Sequence, residues 1–219
     1  MFEPSIAREG MLELMYGDKT PSLLFALRTA ALSAMQPLEA NGEYARILAP
    51  YANSRLLERD VLTALLRGYH GPHCLYGSHI DALYAIDELW FNHVIDQPVD
   101  ELLSFDQQKA WRERLVLLIK GMSYKTVSMA LLIYMPLACE LVPIDRHHLA
   151  RYGFDRNKSL SRCKYLALEA RMVADRNNEG YPDVPLGLFT AYYWGAQRDG
   201  KECYRNGHTS HQKLSCRWW

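Results

Sequence analysis

Apolar side chains recur at helical spacing along most of the chain. In residues 22–35 they occupy positions 23, 24, 27, 30, 31 and 34, a pattern typical of a helix with one buried face. No stretch of four to eight residues alternates cleanly between apolar and polar side chains, as a half-buried strand would. The pattern therefore predicts an all-α protein, with further helices over residues 54–66, 79–94, 98–105, 111–120 and 124–134.

Residues 111–135 have the pattern of a helical hairpin. Trp111, Leu115 and Leu118 share one face of the first predicted helix, which we expect to end at the Gly-Met-Ser turn of residues 121–123. The second helix begins at about Tyr124, so the two helices are joined by a short glycine-containing turn.

Charge is unevenly divided along the 219 residues. The net charge is zero, but residues 1–110 carry 8 basic and 15 acidic side chains, whereas residues 111–219 carry 17 basic and 10 acidic. Such asymmetry indicates a polyanionic partner for the basic half. The composition, 49% hydrophobic and 23% charged, is that of a globular protein and excludes a disordered chain, a collagen-like fibre and a disulfide-rich miniprotein.

The sequence also predicts the cellular compartment of the protein. Its longest apolar run, residues 129–139, contains Pro136 and is too short to cross a bilayer. The first 18 residues lack the apolar core and cleavage site of a secretory signal, and the five cysteines are odd in number and scattered. We therefore expect a monomer of the cytoplasm or the nucleus that does not associate with membranes.

Two motifs carry the chemistry. Residues 118–127 read Leu-Ile-Lys-Gly-Met-Ser-Tyr-Lys-Thr-Val and residues 142–147 read Val-Pro-Ile-Asp-Arg-His, with Asp145 lying 20 residues after Lys125. In these motifs the chain resembles the helix-hairpin-helix DNA glycosylase superfamily, which includes endonuclease III and the 8-oxoguanine glycosylases. The family pattern is an apolar helix, L-x-G-V-G-x-K-T-A, a second helix and V-D-x-H. The strong match covers about residues 111–153.

The resemblance implies a two-lobed helical fold of the helix-hairpin-helix glycosylase type, acting as a single unit on DNA. Its acidic lobe would span residues 1–110, and its basic lobe, with the helix-hairpin-helix over 111–135, would span residues 111–200. Residues 201–219 would form a C-terminal tail.

The resemblance also implies the roles of individual residues. Lys125 matches the nucleophilic lysine of the bifunctional glycosylase/lyases, and Asp145 matches the catalytic aspartate. Gly121 matches the first hairpin glycine, whereas Ser123 replaces the second one and departs from a position that could require a positive φ. A hairpin turn presents backbone N–H groups to a DNA phosphate. The expected DNA contacts are Lys120, Gly121, Met122 and Ser123.

Excision of a damaged or modified base requires these chemical groups. Cleavage of the glycosidic bond builds positive charge on the sugar, which the Asp145 carboxylate can stabilise. The Lys125 amine can attack C1′ and form a Schiff base, the route to strand scission by an AP lyase. An ordinary lysine is only about 0.1% neutral at pH 7.4, so Lys125 needs burial or cationic neighbours. The flipped-out base needs a pocket. Its candidate lining residues are Tyr84, Trp90, Phe91 and His147.

Other functions remain open at this point. Asp145 could be a simple helix N-cap and Lys125 a solvated helix residue. On the same scaffold the protein could be a phage-type enzyme that hypermodifies DNA bases, similar to the α-glutamyl/putrescinyl thymine pyrophosphorylases. It could also be a non-catalytic DNA-binding module that uses the hairpin alone.

No cofactor is expected for the chemistry, because the cysteine-rich loop that holds the iron–sulfur cluster of endonuclease III is absent. The tail does place Cys203, His208, His211 and Cys216 within 14 residues. Two thiolates and two imidazoles suit a tetrahedral structural zinc. A flexible basic tail without metal is the alternative.

Overall fold

The fold is built from helices. The computed structural model describes residues 22–33, 46–68, 77–95, 104–155 and 157–191. These residues are mostly helical and contain no β-strand, so the prediction of an all-α protein is confirmed. The helices are α1 (Leu23–Ser33), α2 (Arg59–Gly68), α3 (Gly77–Phe91), α4 (Phe105–Leu118), α5 (Tyr124–Tyr134), α6 (Arg146–Arg151) and α7 (Arg162–Asn178), with a 3₁₀ turn at Ala49–Tyr51 and a helical segment over residues 186–191. None of the helices in the described ranges is long and apolar enough to span a lipid bilayer.

A first hydrophobic core surrounds α1, which packs against α3 and α5. Leu24 and Leu27 of α1, Leu83 of α3 and Val127 of α5 are all fully buried in it. This core therefore joins helices from both halves of the sequence, since α1 and α3 precede residue 110 and α5 follows it.

A second core lies on another side of α5. Leu131 and Leu132 of α5 pack there with Leu168 and Met172 of α7 and with Phe189 of the last helical segment. This double burial leaves α5 with no exposed residue, and seven of its eleven residues are buried, Thr126 and Ser128 among them.

A buried ion pair between α1 and α3 sets where α2 begins. Arg28 is fully buried, and its Nε lies 2.8 Å from Oδ1 of Asp87. Arg28 also donates to the carbonyl of Ser54 (2.9 Å), and Asp87 accepts from the N–H of Leu56 (2.9 Å). These bonds hold residues 54–56 outside a helix. The helix predicted over residues 54–66 therefore begins only at Arg59.

The start of α4 also differs from the prediction. Ser104 caps the helix, because its Oγ accepts from the N–H of Gln107 (3.2 Å) while its own N–H donates to Oε1 of Gln107 (2.9 Å). This capping box begins α4 at Phe105 rather than at Trp111. The prediction of a helix ending at Phe105 was therefore wrong at that boundary, and residues 98–103 lie outside the described ranges. The predicted bounds of α5 are confirmed.

Candidate active site and hairpin

The turn between α4 and α5 requires a glycine at Gly121. Its φ of +97° lies in the left-handed region, which residues with a side chain avoid. In addition, a Cβ atom at this position would lie 2.8 Å from the carbonyl oxygen of Ser78, in the first turn of α3. The glycine is therefore fixed both by the backbone conformation and by its close approach to α3.

Ser123, which stands where the glycosylase pattern has a second glycine, is the N-cap of α5. Its φ of −115° is extended backbone, so no glycine is needed there. The Ser123 Oγ accepts from the N–H of Thr126 (3.2 Å) and lies 2.8 Å from the Thr126 hydroxyl. The N–H groups of Ser123 and Tyr124 have no acceptor among the described residues, as is usual in the first turn of a helix.

The remaining predicted DNA contacts differ in accessibility. Lys120 is exposed on the turn. The side chain of Met122 is buried in the first core, and its N–H donates to the carbonyl of Ile119 (3.1 Å). Met122 therefore supports the turn from inside. The N–H of Gly121, like those of Ser123 and Tyr124, has no acceptor among the described residues, and Gly121 and Ser123 are exposed.

Lys125 and Asp145 lie close enough for their charges to interact. Lys125 is on the first turn of α5 and is half-buried. Its burial lowers the pKa of the amine, the negative charge of Asp145 raises that pKa, and the positive charge of Arg146 lowers it. The net shift is downward. The structure thus gives Lys125 both features that the predicted chemistry needs, partial burial and a cationic neighbour.

Asp145 is the N-cap of α6, as its position in the sequence predicts. Its Oδ1 accepts from the N–H groups of His147 (2.9 Å) and His148 (3.1 Å). The side chain is 15% exposed, so it is partly shielded from water and yet accessible. The cap bonds therefore fix the position of a carboxylate whose negative charge acts on the Lys125 amine.

His148 caps the start of α6 together with Asp145, the role that is usual for a histidine at this position. Its buried Nδ1 lies 2.8 Å from Oδ1 of Asp145 and 3.2 Å from the Asp145 amide nitrogen. Nδ1 accepts from the Asp145 N–H, which completes a capping box, and in the other tautomer it donates to the Asp145 carboxylate. His148 stands at position N3 of the helix, the place of Glu or Gln in other capping boxes.

The segment that leads to Asp145 is held by α7. The hydroxyl of Tyr165 donates to the carbonyl of Val142 (2.5 Å) and accepts from the N–H of Ile144 (3.1 Å). Oε1 of Glu169 accepts from the N–H of Val142 (3.1 Å). Residues 142–144 are therefore fixed by side chains that lie more than 20 positions further along the sequence.

Glu169 is itself one half of a buried ion pair. The guanidinium of Arg112 donates two hydrogen bonds of 2.7 Å to its carboxylate, and neither side chain is exposed. Burial lowers the pKa of Arg112, but the bonds and the charge of Glu169 raise it, and the net shift is upward. Arg112 also donates to the Ser128 hydroxyl (3.0 Å). The pair connects α4, α5 and α7 beneath the candidate active site.

A polar cluster fixes the first residue of α5. The Tyr124 hydroxyl donates to the carboxylate of Glu113 and accepts from Nε of Arg162 (2.8 Å). Arg162 and Glu113 also form an ion pair, with 3.1 Å between a guanidinium nitrogen and a carboxylate oxygen. Tyr124 precedes Lys125, so this cluster anchors the backbone from which Lys125 projects.

The aromatic residues predicted to line a base pocket pack against the first core. The Tyr84 hydroxyl donates to the carbonyl of Leu57 (2.6 Å), and the guanidinium of Arg55 lies 4.7 Å from the ring centre of Phe91. Trp90 and Phe91 are 12 and 13 positions beyond Ser78, which touches the hairpin. At 1.5 Å per residue, they lie about 18 Å further along α3.

Among the four predicted pocket residues, His147 is thus the one whose contact with the site is clear, since its N–H binds the Asp145 carboxylate. Its side chain is half-buried. A base-stacking role for Tyr84, Trp90 and Phe91 stays a prediction.

The predicted zinc ligands Cys203, His208, His211 and Cys216 lie outside the described residues. Within the described ranges no three His, Cys, Asp or Glu side chains lie close enough together to hold a metal ion. Zinc binding by the tail therefore also stays a prediction.

Comparison of the chain with models of known protein families, with curated proteins and with solved structures finds no match. The functional argument therefore depends on the geometry of the site.

Proposed function

We propose that this protein is a DNA glycosylase with AP lyase activity, built on a two-lobed helix-hairpin-helix fold, that excises a damaged or modified base flipped out of DNA. The observation that carries the proposal is the proximity of Lys125 and Asp145, next to a hairpin whose turn depends on Gly121. A half-buried lysine of lowered pKa beside a fixed carboxylate suits nucleophilic attack on a sugar.

In this proposal the hairpin binds the DNA backbone. The amides of Ser123 and Tyr124 at the start of α5 bind a phosphate, favoured by the positive end of the helix dipole. Lys120 and Arg146 are exposed and add charge-based affinity that does not depend on sequence. The protein acts as a monomer, in the cytoplasm or the nucleus.

The chemistry then proceeds on the flipped-out nucleotide. The neutral Lys125 amine attacks C1′, the bond between C1′ and the base breaks, and its electron pair leaves with the base, which takes up a proton. The Asp145 carboxylate stabilises the positive charge that develops on the sugar. Loss of a proton from the nitrogen and opening of the sugar ring give a Schiff base, from which β-elimination cuts the strand.

A panel of duplexes with modified bases tests the proposal. Mass spectrometry detects a released base, alkali reveals abasic sites, and borohydride traps the Schiff base as a covalent protein–DNA adduct. We expect Lys125→Gln to abolish the adduct. Lys109→Gln, which removes a different amine from α4, should form it at the wild-type yield.

The outcomes separate the alternatives. Base release without an adduct would mean a glycosylase that lacks lyase activity, and an adduct of equal yield in Lys125→Gln would assign the nucleophile to another amine. A modified base with its glycosidic bond intact would support the hypermodification enzyme. Salt-dependent DNA binding without any chemistry would support the non-catalytic module.

A further inference from the structure

We propose that Tyr165 is a positioning residue that holds the Asp145 carboxylate next to the Lys125 amine. The inference deepens the proposed function and rests on it for its catalytic meaning. Tyr165 contacts the chain immediately before each reacting group, at Tyr124 and at residues 142–144.

The hydroxyl of Tyr165 fixes the approach to Asp145. It donates to the carbonyl of Val142 and accepts from the N–H of Ile144, so both hydrogen-bonding functions of the phenol are used on one short segment. The residue between them, Pro143, has no N–H of its own and a restricted φ. Asp145 is the residue that follows Ile144. A segment held at two points so close to the carboxylate has little freedom to move it.

The ring of Tyr165 fixes the approach to Lys125. It is buried, and its centre lies 5.4 Å from that of the Tyr124 ring, with 42° between the two planes. The guanidinium of Arg112 lies 5.4 Å from the ring of Tyr165 and 5.1 Å from that of Tyr124. Two aromatic rings and a buried cation in contact have little room to shift. The same side chain thus braces the residue before Lys125.

The Tyr165 hydroxyl is also hard to ionise. Burial raises the pKa of Tyr165, and the Glu169 carboxylate raises it further. The phenol therefore stays protonated at neutral pH, and it keeps its bond to the Val142 carbonyl there.

The substitution Tyr165→Phe removes the hydroxyl and keeps the ring. The matched control is Tyr152→Phe, which removes another hydroxyl that bonds to α7, through Asp175 (2.6 Å), without touching residues 142–144. Tyr165→Phe loses two hydrogen bonds in a buried environment and Tyr152→Phe loses one, so the first variant should have the lower melting midpoint. Both variants are compared at a temperature at which melting curves show them to be folded.

The decisive measurement is the pKa of Lys125, obtained from the pH dependence of its labelling by an amine-reactive reagent and read by mass spectrometry. Because the Asp145 charge raises this pKa, displacing the carboxylate should lower it and speed labelling at a given pH. We expect Tyr165→Phe and Asp145→Asn both to shift the labelling curve to lower pH, and Tyr152→Phe to leave it at the wild-type position. In single-turnover base release, Tyr165→Phe should slow the chemical step about 10- to 100-fold with unchanged DNA affinity.

A wild-type labelling curve in folded Tyr165→Phe would overturn the positioning role. If the wild-type protein releases no base, the proposed function fails, but the labelling curves still decide whether Tyr165 sets the distance between the two charges. Hydrogen exchange gives a second test. The Ile144 N–H also donates to the Val142 carbonyl (2.9 Å), so the variants must be compared. Exchange at Ile144 should be faster in Tyr165→Phe than in Tyr152→Phe, and equal rates would contradict the inference.

Discussion

The backbone of Gly121 approaches the carbonyl oxygen of Ser78 so closely that a β-carbon would lie 2.8 Å from it. This contact joins the turn of the hairpin to the first turn of α3, and it ties the candidate DNA-binding surface to the first core. A hairpin glycine here has a packing role in addition to its conformational one.

Replacing Gly121 with alanine should therefore destabilise the protein more than the same change at Gly180. Both residues have a positive φ, +97° and +87°, but a Cβ at Gly180 would have no atom within 4 Å. The left-handed conformation alone costs about 1–2 kcal/mol with a β-carbon. We expect Gly121→Ala to exceed Gly180→Ala by about 1 kcal/mol or more in urea unfolding, because the α3 backbone must also move. Equal losses would mean that the turn adjusts freely.

The substitution Asp145→Asn should separate catalysis from stability. The amide oxygen can still accept the N–H groups of His147 and His148, so the free energy of unfolding should change by less than about 1 kcal/mol. The negative charge is lost, and base release should fall by on the order of 100-fold or more. A folded Asp145→Asn protein with wild-type single-turnover rates would show that the carboxylate serves as a cap and not in the reaction.

The buried pair of Arg112 and Glu169 should be costly to break from one side. Glu169→Ala leaves an unpaired buried guanidinium, and we expect a loss of about 3–5 kcal/mol in the free energy of unfolding. The exposed pair of Arg59 and Asp81 is the control, since both its side chains are about half exposed. Asp81→Ala should cost less than about 1 kcal/mol. Comparable losses of unfolding free energy in the two variants would contradict the burial of the Arg112–Glu169 pair away from water.

Charge on the hairpin turn should govern DNA affinity at low salt. Lys120→Glu should weaken binding to unrelated duplexes about equally, because a phosphate contact carries no sequence information. In titrations at several salt concentrations, Lys120→Gln should lower the slope of log affinity against log salt by about 1, whereas Lys120→Arg should keep it. An unchanged slope in Lys120→Gln would place this lysine away from DNA.

Local sequence determined several parts of this protein. The bounds of α5, the cap at Asp145 and the turn at Gly121 follow from interactions within about four residues, which is the range of helical hydrogen bonds and caps. The capping boxes at Ser104 and at Asp145 with His148 also lie within this range, since each joins residues three positions apart. The all-α character follows from helical spacing repeated along the chain.

Only the tertiary structure decided the environment of the candidate site. The pairing of Arg112 with Glu169 spans 57 positions, and that of Arg28 with Asp87 spans 59, so neither is visible in any local pattern. Because the Arg28–Asp87 pair holds residues 54–56 outside a helix, α2 begins later in the sequence than its hydrophobic pattern predicts. The lowered pKa of Lys125 likewise depends on burial and on charges brought in from α6. Helices and caps form from near neighbours, whereas burial and the field of distant charges exist only once the helices have packed.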